Sequence, residues 1–156
     1  MAFALSSPAF DAGNPIPAKF TADGADISPM LEWTPPPGGT KGLVLIVDDP
    51  DAPGGTWVHW VLAGIPPDRK NLPEKVSAQA NPEGLSRAVN GRNDFGKSGY
   101  GGPDPPRGPV HRYFFKLYAL DTVLPWKAGV TKAEMEKLMK GHVLAEADLM
   151  GTYQRK

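Results

Sequence analysis

The sequence predicts a mainly β fold: an antiparallel, Greek-key-like β-sandwich with one or two small peripheral helices. Three observations predict it. The 18 Gly and 18 Pro among 156 residues exceed ordinary usage, and they fall between short apolar runs, as tight turns between many strands require. Gly42-Leu43-Val44-Leu45-Ile46-Val47 is apolar throughout, which marks a strand covered on both faces. His111 to Leu120 alternates with a period of two: His111, Tyr113, Phe115, Leu117 and Ala119 share one face. At this length the chain is expected to be one domain over residues 1–156.

The other elements follow in order. Phe3 to Ser7, Ala18 to Thr21 and Ile27 to Trp33 are expected as short strands between Gly, Pro and Asp. Pro35-Pro36-Pro37-Gly38-Gly39 is an irregular turn, which neither a helix nor a central strand tolerates. The central apolar strand stops at Asp48-Asp49-Pro50, where the proline ends the ladder. Trp57 to Ile65 is the next strand; alternation groups Trp57, His59, Val61 and Ala63 on one face, and Val58, Trp60 and Leu62 on the other. Residues 71–108 are polar and Gly-rich, with a short strand near Ser86 to Val89. One helix is well signed: Thr131 and Glu134 form a capping box, Met135, Leu138 and Met139 an apolar stripe, and Gly141 a stop. Val143 to Tyr153 is expected as a final strand.

Charge and composition exclude several functions. Lys and Arg number 17, Asp and Glu 17, so the formal net charge is zero. Nucleic-acid partners, which select for a basic excess, are not expected. With no cysteine, disulfides and thiolate metal sites are excluded. Met1-Ala2-Phe3-Ala4-Leu5 carries no Lys or Arg and polar Ser6-Ser7-Pro8 follows, so no secretory signal is expected. No apolar run reaches membrane-spanning length. A cytoplasmic location without integral membrane association is the expectation.

Two strings carry the chemistry. Asp48-Asp49-Pro50-Asp51-Ala52-Pro53 precedes His59, and Gly108-Pro109-Val110 leads into His111-Arg112-Tyr113. Each sets polar groups at the end of a buried run, where they need a partner or a ligand. His111 and Tyr113 stand side by side, roughly 7 Å apart along the strand. One carboxylate, two imidazoles and a phenol beside Gly/Pro loops suit a small anion, with Asp49 orienting one imidazole. If an imidazole must be protonated to hold it, affinity falls as pH rises through the imidazole range. On the residues alone a second reading stands: two satisfied core histidines and a turn-forming aspartate. Arg112 points away from His111 and reads as solvated or ion-paired. Ser98 lies in a Gly-rich loop without a nucleophile-elbow motif.

Together the strings resemble the phosphatidylethanolamine-binding protein family, and most of all its prokaryotic, Raf kinase inhibitor-like branch. The resemblance runs from about Phe20 to Tyr153. It is densest where Asp-Pro-Asp-Ala-Pro precedes Trp57-Val58-His59-Trp60, and where Asn93-Asp94-Phe95-Gly96, Gly99-Tyr100-Gly101-Gly102-Pro103 and Pro105-Pro106 lead into His111-Arg112-Tyr113. It implies that Asp49, His59, Pro105, His111 and Tyr113 line a site for phosphate or a phospholipid headgroup. It implies no cofactor and no metal, although Asp49 with two histidines meets the count of a two-His-one-carboxylate site. The expected role is binding of a small anion or phosphorylated ligand, with modulation of a kinase or protease. A homodimer is a further expected association. The alternative is a hydrolase using an Asp49/His59 acid–base pair. The resemblance also implies a cis Ala52–Pro53 bond. The C-terminal helix that guards the pocket in eukaryotic members is expected to be absent, as the sequence ends at Lys156. Asp104 departs from the family pattern; a carboxylate aimed at the pocket mouth would repel an anion.

Overall fold

The computed structural model describes residues 2–156. Its strands are β1 (Leu5–Ser6), β2 (Leu31–Trp33), β3 (Gly42–Asp49), β4 (Trp57–Ile65), β5 (Asn71–Leu72), β6 (Val89–Asn90), β7 (His111–Leu120) and β8 (Val143–Tyr153). A helix, α1 (Lys132–Met139), lies between β7 and β8. Hydrogen bonding joins β6-β4-β3-β7-β8 into a five-stranded sheet and β1-β2-β5 into a three-stranded one. Their pairings are antiparallel.

β3 is central because both of its faces are apolar, and all eight of its residues are buried. Leu43, Leu45 and Val47 enter a core shared with Leu31, Trp33 and Leu72 of the small sheet and with Phe115 of β7. Val44 and Ile46 enter a second core, closed by Met135 and Met139 of α1. The large sheet is thus sandwiched between the small sheet and α1.

α1 begins as its residues dictate. Thr131 Oγ1 accepts from the Glu134 N–H at 3.2 Å, and Glu134 Oε1 accepts from the Thr131 N–H at 3.0 Å. The helix is held to the sheet by Asp48, which is 1% exposed. Lys132 Nζ donates to its Oδ2 at 2.8 Å and Lys116 Nζ at 3.3 Å, tying α1, β3 and β7 through one carboxylate.

Three short elements differ from expectation. Ala18–Phe20 is a single 3-10 turn: Thr21 N–H closes onto Ala18 O, which buries Phe20. The strand expected over 27–33 shrinks to Leu31–Trp33, since Pro29 cannot donate to a ladder. The strand expected near Ser86 forms instead at Val89–Asn90, because Ser86 takes a left-handed φ of 54°.

Strict alternation also fails along β4. Asp48 pairs with Val58 and Val47 with Trp60, leaving His59 as an extra residue; a second shift falls between Leu43 and Leu45. The second bulge carries Gly64 at φ 77°, under the Trp126 indole, where a Cβ would come within 2.8 Å of Nε1. Trp60, Leu62 and Ile65 consequently face the small-sheet core, while Val58, Val61 and Ala63 face α1. Contrary to the alternation reading, His59 therefore does not share a face with Val61 and Ala63.

Candidate functional site

A cavity of about 260 Å³ opens where β3 ends, beside the starts of β4 and β7. Asp49, His59, Pro105, His111 and Tyr113 all line it, joined by Trp57, Phe95 and Asp104. The bulge brings His59 here, by releasing it from the α1 side of the sheet. Asp49, His59, His111 and Tyr113 are each between 1% and 4% exposed.

Asp49 is fully used. Its Oδ1 accepts the Asp51 N–H at 2.7 Å, and its Oδ2 sits 2.7 Å from His111 Nδ1. The Asp49 carboxylate is thus paired with His111, and not with His59 as the hydrolase alternative supposes. The turn that follows needs no cis bond, contrary to expectation: no cis peptide occurs among the described residues. The Asp49 side chain caps the reversal, Gly55 N–H closes onto Ala52 O at 3.0 Å, and Gly55 supplies a φ of 111°.

His59 is fixed through Gly101. The Gly101 N–H donates to His59 O at 2.9 Å, and His59 Nδ1 lies 2.6 Å from Gly101 O. No side chain fits at Gly101, since a Cβ would meet the Phe95 ring at 2.7 Å. A carbonyl only accepts, so His59 carries its proton on Nδ1; the carboxylate assigns His111 Nδ1 the same way. In both rings Nε2 is left without a protein partner among the described residues. Burial pushes the His59 pKa below its ordinary 6.5, against the opposing pull of the Gly101 bond and Asp49.

That shift has a sign in stability. The unfolded chain binds the His59 proton more readily than the folded one, so stability falls as pH drops below about 6.5. Urea unfolding at about pH 7.5 and about pH 5.5 is expected to show this loss, reduced in His59→Gln. An identical pH response in that variant contradicts a buried, neutral His59.

The Tyr113 hydroxyl is the unusual group. Its ring packs edge-on to His59 at 5.2 Å and stacks near His111 at 6.5 Å. Its Oη is, among the described residues, the fully buried side-chain polar atom without a hydrogen-bond partner. Burial, then Asp49 and Asp104, push the phenol well above its ordinary pKa, so it remains a donor. A buried donor without an acceptor costs about 1–3 kcal/mol. Here it faces a cavity able to admit one.

Arg112 is ion-paired, as its opposite face implies: Nε and Nη2 each donate to Asp51 at 2.9 Å. Asp104 does reach the pocket, but Arg155 Nη2 holds its Oδ1 at 2.9 Å. Arg155 was not legible as a site neighbour; continuing the β8 alternation past Tyr153 would have placed it on the Tyr153 side. No group of three or more His, Asp or Glu poised for a metal occurs among the described residues.

Fold and cavity together define a class: antiparallel β-sandwiches with a small polar pocket at the strand ends. Residues 6–154 match the family model described as phosphatidylethanolamine-binding protein. A UPF0098 protein of Methanothermobacter thermautotrophicus is 51% identical over 152 residues, covering 97% of this chain and 98% of that one. The crystal structure of CT736 of Chlamydia trachomatis, described as a phosphatidylethanolamine-binding protein homolog, superposes with a TM-score of 0.89 at 42% identity, covering 99% of each chain. The E. coli protein YbcL, described as a member of the mammalian family, gives 0.92 at 33% identity over 100% of each. The chain belongs to the phosphatidylethanolamine-binding protein family. No helix among its described residues is long and apolar enough to cross a membrane.

Proposed function

We propose that the protein is a binding module for a small oxyanion, a phosphate or a group like a phospholipid headgroup. The observation that carries this reading is the buried, unpartnered Tyr113 hydroxyl beside two imidazoles whose Nδ1 atoms are already engaged. Tyr113 donates to an anion oxygen; each Nε2 accepts from a protonated oxygen of the ligand when its ring is neutral, and donates to an ionised one when its ring is protonated. By family membership, modulation of a kinase or protease is the role such a module would serve. The hydrolase reading keeps one observation, the Asp49–His111 pair, which has the geometry of a general base and its orienting acid. The cavity lining holds no Ser, Thr, Cys or Lys, so this route would have to activate water. Turnover of phosphate esters or acyl esters, abolished in His111→Ala, would favour it over binding.

Tyr113→Phe separates binding from folding. A hydrogen bond to a charged group contributes about 1.5–3 kcal/mol, so phosphate affinity is expected to fall about 10- to 150-fold by calorimetry. The melting temperature is expected to hold or rise, because the variant removes a buried unsatisfied atom. Unchanged affinity would remove Tyr113 from the site.

A further inference from the structure

The pocket wall contains carboxylates and imidazoles but neither lysine nor arginine. The guanidinium that approaches it, Arg155, is divided between two acids: Nη2 lies 2.6 Å from Asp23 Oδ1 and 2.9 Å from Asp104 Oδ1. Its Nη1 donates to Pro105 O at 2.8 Å, so it also braces the segment that forms the wall. Tyr153 Oη adds a bond to Asp23 at 2.6 Å. On the other side, Arg112 is taken up by Asp51. Asp49 shares its charge with His111, and burial holds His59 towards its neutral form. The acids around the cavity thus match or outnumber the side chains paired with them, and no lysine or arginine lines the cavity itself. Burial raises the Tyr113 pKa most, and the nearby charges act on top of it: Asp49, Asp104 and Asp51 push it up, while Arg155 pulls it down.

We propose that the pocket accepts singly charged oxyanions and discriminates against phosphate dianions, and that Arg155 sets this limit by neutralising Asp104. The proposal deepens the anion-binding reading above and rests on it. A second negative charge finds no compensating cation, and in a partly buried site that repulsion is stronger than in water. Arg155 is a positioning and specificity residue: it acts through Asp104 and Pro105.

Methyl sulfate and methyl phosphate test this, being nearly identical in shape. At about pH 8 the first is a monoanion and the second a dianion, since phosphate esters lose their second proton near pH 6. Calorimetric titration is expected to show methyl sulfate binding about tenfold tighter or more. Asp104→Asn is expected to narrow that ratio by favouring methyl phosphate; Arg155→Met is expected to widen it. Should Arg155→Met fail to fold, Asp104→Asn carries the test. Equal or tighter binding of methyl phosphate overturns the charge limit and leaves the anion site standing. A ratio that Asp104→Asn does not move overturns the role given to Asp104 and Arg155. Binding of neither probe overturns the anion site and this inference with it.

Discussion

Replacing His111 by alanine is expected to abolish anion binding, by more than about a hundredfold, and to destabilise the fold by about 3 kcal/mol. Two effects act in the same direction. The pocket loses an imidazole Nε2, and Asp49, 3% exposed, is left as an unpaired carboxylate in its wall. Breaking a buried pair by removing one partner costs far more than the pair contributes, because the remaining charge is stranded. The consequences separate in a second step. Asp49→Asn in the His111→Ala background is expected to restore most of the stability, since a neutral amide tolerates burial better than a charge. It is not expected to restore affinity. Urea midpoints and calorimetry on both variants decide it; a double variant as unstable as the single one would mean that lost packing, not stranded charge, is the cause.

Asp48→Ala is expected to be the most damaging change away from the pocket, at about 3 kcal/mol. Asp48 is buried at the join of β3, β7 and α1, while Lys116 and Lys132 remain 27% and 21% exposed. Its removal leaves two ammonium groups close together above an apolar core that includes Ile46 and Met135. Both lysines can turn part of their charge to water, which holds the cost near the lower end for buried pairs. α1 is expected to loosen first, seen as faster hydrogen exchange at Met135 and Met139 than in the rest of the core. A urea midpoint within about 0.5 kcal/mol of wild type would show that helix packing, not the carboxylate, secures α1.

The two aspartates show what was legible in the sequence and what was not. Consecutive strand residues point to opposite faces, so Asp48 and Asp49 had to serve different partners, and the apolar run before them marked the strand end. β7 and α1 were legible for similar reasons: unbroken alternation in the one, a reciprocal cap in the other. His59 was legible as a candidate but not as a pocket residue on its own merits. Alternation assigned it to the face of Val61 and Ala63, and only the bulge, which depends on pairing with β3, turns it to Tyr113. The choice of His111 over His59 as the partner of Asp49 is likewise a matter of register between strands distant in sequence. Arg155 was invisible because its partners, Asp23 and Asp104, are 132 and 51 residues away along the chain, and nothing local marks a long-range ion pair.

The central claim is that the Tyr113 hydroxyl and the two free imidazole nitrogens meet an anion. A crystal structure grown in phosphate at about pH 5, where the ion carries one charge, tests it most directly. The account predicts a phosphate oxygen about 2.6–2.8 Å from Tyr113 Oη, within reach of both Nε2 atoms, with the bonds from His111 Nδ1 to Asp49 and from His59 Nδ1 to Gly101 intact. A cavity holding only water at saturating phosphate, with the anion absent or bound elsewhere, would contradict it.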